Sequence, residues 1–362
     1  MAQKNKRVLV AMSGGLDSSV TALMLHEQGY EVIGITMKTW DYASSGGERK
    51  TTGCCSLDDI NDARALAVDK GFPHYILDIR EEFGEFIIDN FTHEYLAGRT
   101  PNPCVLCNTH IKWDALLKRA DKLGCDFIAT GHYANVREEN GRFVVSKGLD
   151  ESKDQSYVLW GLKQEALART IFPMGKYRKT EIRQMALDFG YQSLAKKAES
   201  YEICFIPDND YRGFLKRRVP GLEAQVAGGN FLDTKGNVIG KHEGYPFYTI
   251  GQRKGLGQAF GRPVFVTQID RENNTVTLGD EEDLESSELF VRDVNFGKFA
   301  DLLEPKELVV KIRYKDEGSA ALVSREGNML KAEFPFKVKA VTPGQSAVFY
   351  DGNDVVAGGF II

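Results

Sequence analysis

The stretch Ser13-Gly14-Gly15-Leu16-Asp17-Ser18 decides how the first half of this chain folds. It follows the apolar run Arg7–Met12 and precedes a helical pattern over Asp17–Gln28, so the order is strand, glycine turn, helix. Paired glycines let the backbone approach an anion closely, and the free N–H groups that open a helix, with its dipole, favour phosphate there. A nucleotide phosphate is the expected guest. An ordinary βα turn capped by Ser or Asp would use the same residue types, so the context of the motif has to separate the two readings. No Gly-Lys-Ser/Thr follows, which sets the loop apart from the Walker type.

Outward from this turn, Glu31–Met37, His74–Leu77 and Asp126–Thr130 read as further strands. Helical periodicity fills the gaps, as in Leu57–Lys70 before Gly71 and Trp113–Leu123 before Gly124, each with a glycine just past its end. Alternation of this kind predicts a parallel sheet wrapped by helices, with ligands at the carboxyl ends of the strands, where Ser13–Ser18 lies. Thr39–Thr52, rich in Ser, Gly and charge, reads either as an active-site loop or as a surface insertion. After Pro207 the texture changes to a short basic helix over Asp210–Val219, then to crowded turn signals around His242–Gly261. From Val264 onward the chain reads as hairpins: Val264–Asp270 with Thr275–Gly279 around Asn273-Asn274, then Val309–Tyr314, Ala320–Ser324, Lys331–Phe334 and Ser346–Tyr350. The expected architecture is an α/β domain over 1–207, a small central domain over 208–283 and a C-terminal β-barrel over 284–362.

With 362 residues, 42% of them hydrophobic, the chain can bury two or three such cores. No apolar stretch approaches a membrane span, and Lys4-Asn5-Lys6-Arg7 runs straight into a strand rather than a signal-peptide core, so a cytoplasmic location is expected. Six cysteines are too few for a secreted disulfide scaffold, and Cys104-x-x-Cys107 points to redox, sulfur or metal chemistry. The net charge of −5 announces no polyanion partner. Short basic clusters with aromatic neighbours, at Lys176–Lys179, Lys216–Arg218, Arg253-Lys254 and Arg313-Tyr314-Lys315, suit phosphate contacts with stacking, or are simply solvated faces.

The second constellation is Gly98-Arg99-Thr100-Pro101-Asn102-Pro103-Cys104-Val105-Leu106-Cys107-Asn108. Two prolines around Asn102 fix an extended backbone that delivers Cys104 and Cys107 near a helix start, where the dipole lowers a thiol pKa. Burial as filler is the competing reading, and it is the one adopted for Cys125 beside a core strand. Cys204, in Ile203-Cys204-Phe205-Ile206, reads by itself as a core residue. Cys54-Cys55 reads as a loop feature, with sulfur relay as the alternative.

The run Ala11–Ser18 resembles the PP-loop of the N-type ATP pyrophosphatases, a Rossmann-like α/β group that splits ATP between its α and β phosphates and adenylates an oxygen. Together with Gly98–Asn108, Ala129–Tyr133, Lys153–Tyr157, Ile203–Ile206, Thr249–Gly257 and Val341–Tyr350, in this order, it is similar to the tRNA-specific 2-thiouridylase family over nearly the whole chain. The resemblance implies that Ala11, Met12, Ser13, Gly14, Gly15, Leu16, Asp17 and Ser18 bind ATP with Mg²⁺, and that Met37 and Gly131 flank the adenine. It implies a persulfide on Cys204, and in Cys107 a nucleophile that helps release the sulfur and can form a disulfide with Cys204. Contacts with tRNA fall to His132, Lys153, Asp154, Gln155, Arg313, Tyr314 and Gln345, and those around the target base to Asn102 and Pro103.

At Cys104 the chain departs from the family, which commonly has an Asp proposed as acid/base. A thiol there is a spare group or proton shuttle, or else it joins Cys107 and Cys204 as the third ligand of a [4Fe–4S] cluster. The implied activity is ATP-dependent 2-thiolation of a wobble uridine in tRNA, fed by a cysteine desulfurase or a persulfide relay protein. Two rival functions stay open: another PP-loop synthetase, which would need neither Cys107 nor Cys204, and a nucleotide- or tRNA-binding module without turnover.

Overall fold

The computed structural model describes residues 6–40, 57–198 and 203–362. Cys54, Cys55 and most of Thr39–Thr52 therefore lie outside the described residues. Two compact units are present: Met1–Ile87 with Cys104–Asn209 and Asn353–Val355, and Ile88–Pro103 with Asp210–Gly352 and Val356–Ile362.

The first unit is built on parallel strands β1 (Arg7–Ala11), β2 (Glu31–Lys38), β3 (His74–Asp78) and β4 (Phe127–Ala129). Hairpin strands β5 (Ala134–Glu139) and β6 (Arg142–Lys147) follow, then the short β7 (Thr170–Ile171). The parallel sheet has the order β3-β2-β1-β4-β7, so the chain leaves β1 toward β2 and β3 and returns on the other side as β4. That reversal opens a crevice outside the carboxyl ends of β1 and β4, the place where such sheets bind ligands. Val8, Leu9 and Val10 are fully buried because helices cover both faces of β1, which is why the run reads as continuously apolar rather than alternating. The helices Leu57–Lys70 and Trp113–Lys122 end as expected at left-handed glycines, Gly71 at φ +76° and Gly124 at φ +64°.

The sequence reading misses the β5/β6 hairpin. Its signal was there: Asn140-Gly141 forms the two-residue turn with φ +52° and +74°, the mirror-image geometry that matches strand twist.

In the second unit, β8 (Gly229–Leu232), β9 (Val238–His242), β10 (Phe265–Asp270) and β11 (Thr275–Gly279) form a sheet in the order β10-β11-β8-β9. The basic helix Tyr211–Arg218 precedes them, and its Arg218 is spent on Asp89 at 2.7 Å. The remaining strands are β12 (Glu285–Phe296), β13 (Lys306–Lys311), β14 (Ser319–Glu326), β15 (Met329–Lys339), β16 (Ser346–Asp351) and β17 (Asp354–Ile361). They run β12-β15-β14-β13-β16-β17, and β17 pairs back onto β12 to close a six-stranded barrel around Val291, Val310, Val323, Ala332 and Phe349.

Candidate active site

Ser13–Ser18 leaves the carboxyl end of β1 and enters the helix Leu16–Glu27. The helix is preceded by Gly15 in extended conformation, and no side chain caps it. This separates the two readings of the motif, because neither Ser13 nor Asp17 fills the helix start. The first bond of the ladder is Ser19 N–H to Gly15 O at 3.2 Å, so the N–H groups just ahead of it take no part in the helix and remain for a ligand. Ser18 staples the loop instead: its Oγ accepts from Ser13 N at 3.0 Å and donates to Gly15 O at 3.2 Å.

Two glycines are demanded by contact. Gly14 has φ +70°, and a Cβ there would lie 2.1 Å from the Asp59 carbonyl oxygen. Gly131, just past β4, would drive a Cβ to 2.9 Å from the backbone of Asp17 and Ser18. Met37 sits half-buried near the carboxyl end of β2. The three segments thus leave neighbouring strands on the same edge of the sheet, forming a backbone cradle open to a nucleotide.

Sequence reasoning overlooked the cations around the cradle. Lys179, assigned only to a basic cluster, is 8% exposed and places Nζ 2.7 and 2.8 Å from the two carboxylate oxygens of Asp17. Tyr133 donates its hydroxyl to the same carboxylate at 2.8 Å. Lys197 donates to Gly14 O at 2.9 Å while pairing with Asp59 at 2.6 Å and Asp62 at 2.7 Å, and so braces the left-handed turn.

Cys104, Cys107, Cys125 and Cys204 are thiols. Cys104 is the second residue of the helical turn Pro103–Leu106, and Cys107 opens the π-helical segment Cys107–Lys112. Cys107 is buried. Cys104 has an open surface, yet surrounding protein raises its thiol pKa, with Lys112 opposing the rise in part. The helix start does not lower it as expected, because loss of water around the thiolate outweighs the dipole of one short turn.

Phe205 packs edge-on against Phe83 at 5.8 Å, and the helix Arg80–Phe83 lies against Cys107–Lys112, which brings the Cys204 segment into the neighbourhood of Cys107. Among the described residues no three His, Cys, Asp or Glu side chains are grouped to hold a metal ion. Cys125 is buried, and its thiol is pushed up to about 11 by loss of water, as the filler reading expects.

The residues expected at tRNA divide into exposed groups and supports. Arg313 and Tyr314 stand exposed between β13 and β14. Asp154 is buried and accepts from Gly148 N, Ser156 N and Ser156 Oγ at 3.1, 3.1 and 2.9 Å, so it holds a loop in place. Its neighbours differ. Gln155 accepts from Tyr133 N at 3.0 Å, and Lys153 closes a turn by donating its N–H to Asp150 O. Gln345 donates to the carbonyls of Thr100 and Pro101 at 3.1 and 2.9 Å, anchoring the strap that leads to Asn102 and Pro103.

His132 bonds Thr130 through Nδ1 at 2.7 Å and packs against Trp113 and Phe172. Burial, aided by Lys112, lowers its pKa to about 3, so the ring is neutral at physiological pH. Because the unfolded imidazole titrates near 6.5, stability from this residue is complete above that pH and falls as the pH drops from 6.5 toward 3. At pH 4.5 the loss is about 3 kcal/mol, the folded state refusing a proton that the unfolded chain accepts. Urea unfolding of His132→Gln at pH 7 and 4.5 should show a loss smaller than wild type by about that amount; equal losses in both chains would refute this source.

No helix among the described residues is long and apolar enough to cross a membrane. Three family models match the chain in order: the tRNA methyl transferase HUP domain over residues 6–208, the tRNA methyl transferase PRC-barrel domain over 212–280 and the aminomethyltransferase beta-barrel domain over 286–361. Among curated relatives, the tRNA-specific 2-thiouridylase MnmA of Cytophaga hutchinsonii is 64% identical over 359 residues, 99% of this chain and 98% of the relative. Proteins of the same name from Amoebophilus asiaticus and Salinibacter ruber are 63% and 58% identical, covering 99% of this chain in both cases and 96% and 94% of the relatives.

Proposed function

The chain belongs to the tRNA-specific 2-thiouridylase family, and on that footing we propose that it replaces the C2 oxygen of a wobble uridine in tRNA by sulfur, at the expense of ATP. The observation that carries the reading is the uncapped PP-loop at the β1/β4 crevice in the same unit as Cys107 and Cys204. Sulfur insertion uses both an adenylating loop and thiols. Methyl transfer, the wording of two of the family models, uses neither.

The C2 carbonyl belongs to a stabilised ring, and oxide is a poor leaving group. In the first half-reaction O2 attacks the α phosphorus of ATP, pyrophosphate departs, and the loop N–H groups stabilise the charge that accumulates on it. Gly131 and Met37 border the adenine, and Mg²⁺, held at Asp17, would neutralise the pyrophosphate oxygens. In the second half-reaction the terminal sulfur of a Cys204 persulfide attacks C2 and AMP leaves. The Cys107 thiolate then attacks Sγ of Cys204, which releases the 2-thiouridine and forms a Cys107–Cys204 disulfide; a dithiol reductant reopens it before a sulfur donor, a cysteine desulfurase or persulfide relay protein, reloads Cys204.

The persulfide route is preferred to the cluster because the described residues gather no three-ligand group. Residues 1–207 carry this chemistry, while 208–283 and 284–362, with Arg313 and Tyr314, grip the tRNA; the target base is splayed out near Asn102 and Pro103. Cys104, its thiol pKa raised by loss of water, serves as a proton carrier at most.

Purified chain, supplied with tRNA, ATP and a persulfide donor, should yield AMP, pyrophosphate and 2-thiouridine in equal amounts by mass spectrometry. Products of ADP and phosphate, or AMP formation indifferent to tRNA, would sink the proposal.

A further inference from the structure

In the second unit the basic helix Tyr211–Arg218 spends its last-turn cations internally, Lys216 on Glu223 at 2.7 Å and Arg218 on Asp89. Arg253-Lys254 differs. Both side chains are exposed, and among the described residues neither takes part in a hydrogen bond or an ion pair. The loop that presents them is nonetheless clamped. Gln252 accepts from Thr249 N at 3.2 Å and donates to Lys254 O at 2.9 Å, while Gly251 N donates to Val266 O at 2.8 Å and Val266 N to Gln252 O at 3.0 Å. Arg212, over the Tyr248 ring at 5.3 Å, donates to Gly255 O at 3.1 Å. The same loop walls a cavity of about 340 Å³, lined by Arg253, Leu256, Phe260, Arg262 and Val264 among others, and among the described residues no carboxylate lines it. That volume is near the lower end of the range for small-ligand sites, about 300–1,000 Å³, and suits one compact guest. Phe260 is set edge-on against the buried Phe231 at 5.7 Å, and Arg262 is matched by Asp280, so the unspent charge of the cavity is Arg253.

Resting on the tRNA reading above, we infer that this cavity captures one unpaired nucleotide of the bound tRNA other than the target uridine. Its base lies against Phe260, Leu256 and Val264, and the phosphates on either side of it meet Arg253 and Lys254. An apolar, partly aromatic wall beside an unmatched guanidinium fits a guest that is flat and stackable at one end and anionic at the other, as a nucleotide is. A base within a duplex cannot enter, because its faces are already stacked. A strand fits better than a free mononucleotide: Arg253 and Lys254 follow one another along the loop and Arg212 joins them at Gly255, so positive charge extends past the reach of a single phosphate. Gln258, the one amide that lines the cavity, turns its N–H to Lys241 O, so capture rests on stacking and charge, which tolerate any base.

Binding of tRNA to the full chain, read by fluorescence anisotropy at two salt concentrations, tests the capture. Ala259→Leu adds bulk at an exposed residue of the lining without changing charge, and should weaken tRNA at least about fivefold with the salt slope unchanged. Phe260→Leu, which removes the ring and keeps most of its bulk, should repeat that effect and guards against misfolding of the first variant. Arg253→Gln should weaken tRNA by a similar factor and lower the salt slope by about one. In all three, ATP affinity and pyrophosphate release at saturating tRNA should stay within about twofold, so that the loss appears in KM for tRNA. Weakening by Arg253→Gln alone, with Ala259→Leu and Phe260→Leu binding as wild type does, would make the loop a plain phosphate contact and overturn the capture, as would no weakening in any variant. Micromolar CMP binding that persists when tRNA is bound would make the cavity a mononucleotide site and overturn it as well. Wild-type chain that binds no tRNA would instead sink the function proposed above.

Discussion

Cys204→Ala is expected to abolish 2-thiouridine formation, by on the order of a thousandfold or more, while tRNA-dependent pyrophosphate release stays within about threefold of wild type. The split follows from the division of labour within the first unit. Adenylation draws on the PP-loop, Gly131, Asp17 and the cations around it, none of which touches Ile203–Ile206 in the hydrogen bonds and ion pairs described. Sulfur delivery needs a thiol that can carry a second sulfur, and alanine cannot. Cys107→Ala should show the same split, because the adenylated tRNA forms but its sulfur adduct is not resolved. Cys125→Ala is the control: that thiol is buried, pushed up to about 11, and held away from chemistry, so activity near normal is expected. Nucleoside mass spectrometry beside a pyrophosphate assay reads both halves. Full thiolation by Cys204→Ala would end the persulfide assignment.

Legibility in the sequence tracked how local each determinant is. Four of the five strands of the parallel sheet could be placed to within one or two residues because each is a mostly apolar run flanked by glycine or charge, whereas the two-residue β7 (Thr170–Ile171) is too short to carry a pattern; the glycines at 71 and 124 end their helices in the left-handed geometry that their positions imply. The β5/β6 hairpin was readable in principle from Asn140-Gly141, but its strands carry Arg137, Glu138 and Glu139, so alternation is weak and the period is hidden. The PP-loop was legible as a phosphate cradle; its cations were not. Nothing local marks Lys179 or Lys197 as different from a solvated lysine, since their meaning comes from Asp17, Asp59 and Asp62, more than a hundred residues earlier in the chain. The same limit applies to Asp154 and Gln345, whose bonds to a loop and to a strap no local pattern announces. The helix-dipole argument for Cys104 failed for a different reason, because burial, which spacing does not reveal, acts on a thiolate more strongly than one turn of helix.

Gly14→Ala is expected to remove tRNA-dependent pyrophosphate release by at least about a hundredfold and to cost the first unit about 3 kcal/mol of stability. Two independent costs meet at this residue. Its φ of +70° is a conformation that an L side chain adopts only with strain, about 1–2 kcal/mol. The added methyl would also lie 2.1 Å from the Asp59 carbonyl oxygen and 2.8 Å from its Cα, which are backbone atoms of the helix Leu57–Lys70 and cannot swing aside as a side chain could. Relief requires the loop to back away from that helix. Doing so breaks the Lys197 bond to Gly14 O and carries the N–H groups of the cradle with it, so affinity for the triphosphate falls together with stability. Adding a methyl at Gly15 separates geometry from mere bulk: its φ is −82° and a Cβ there meets only the Ser13 hydroxyl at 3.4 Å, so Gly15→Ala should cost less than about 1 kcal/mol. Thermal unfolding and ATP titration of the two variants side by side decide the matter. A Gly14→Ala chain that binds ATP as tightly as Gly15→Ala would show that the left-handed turn is not what shapes the cradle.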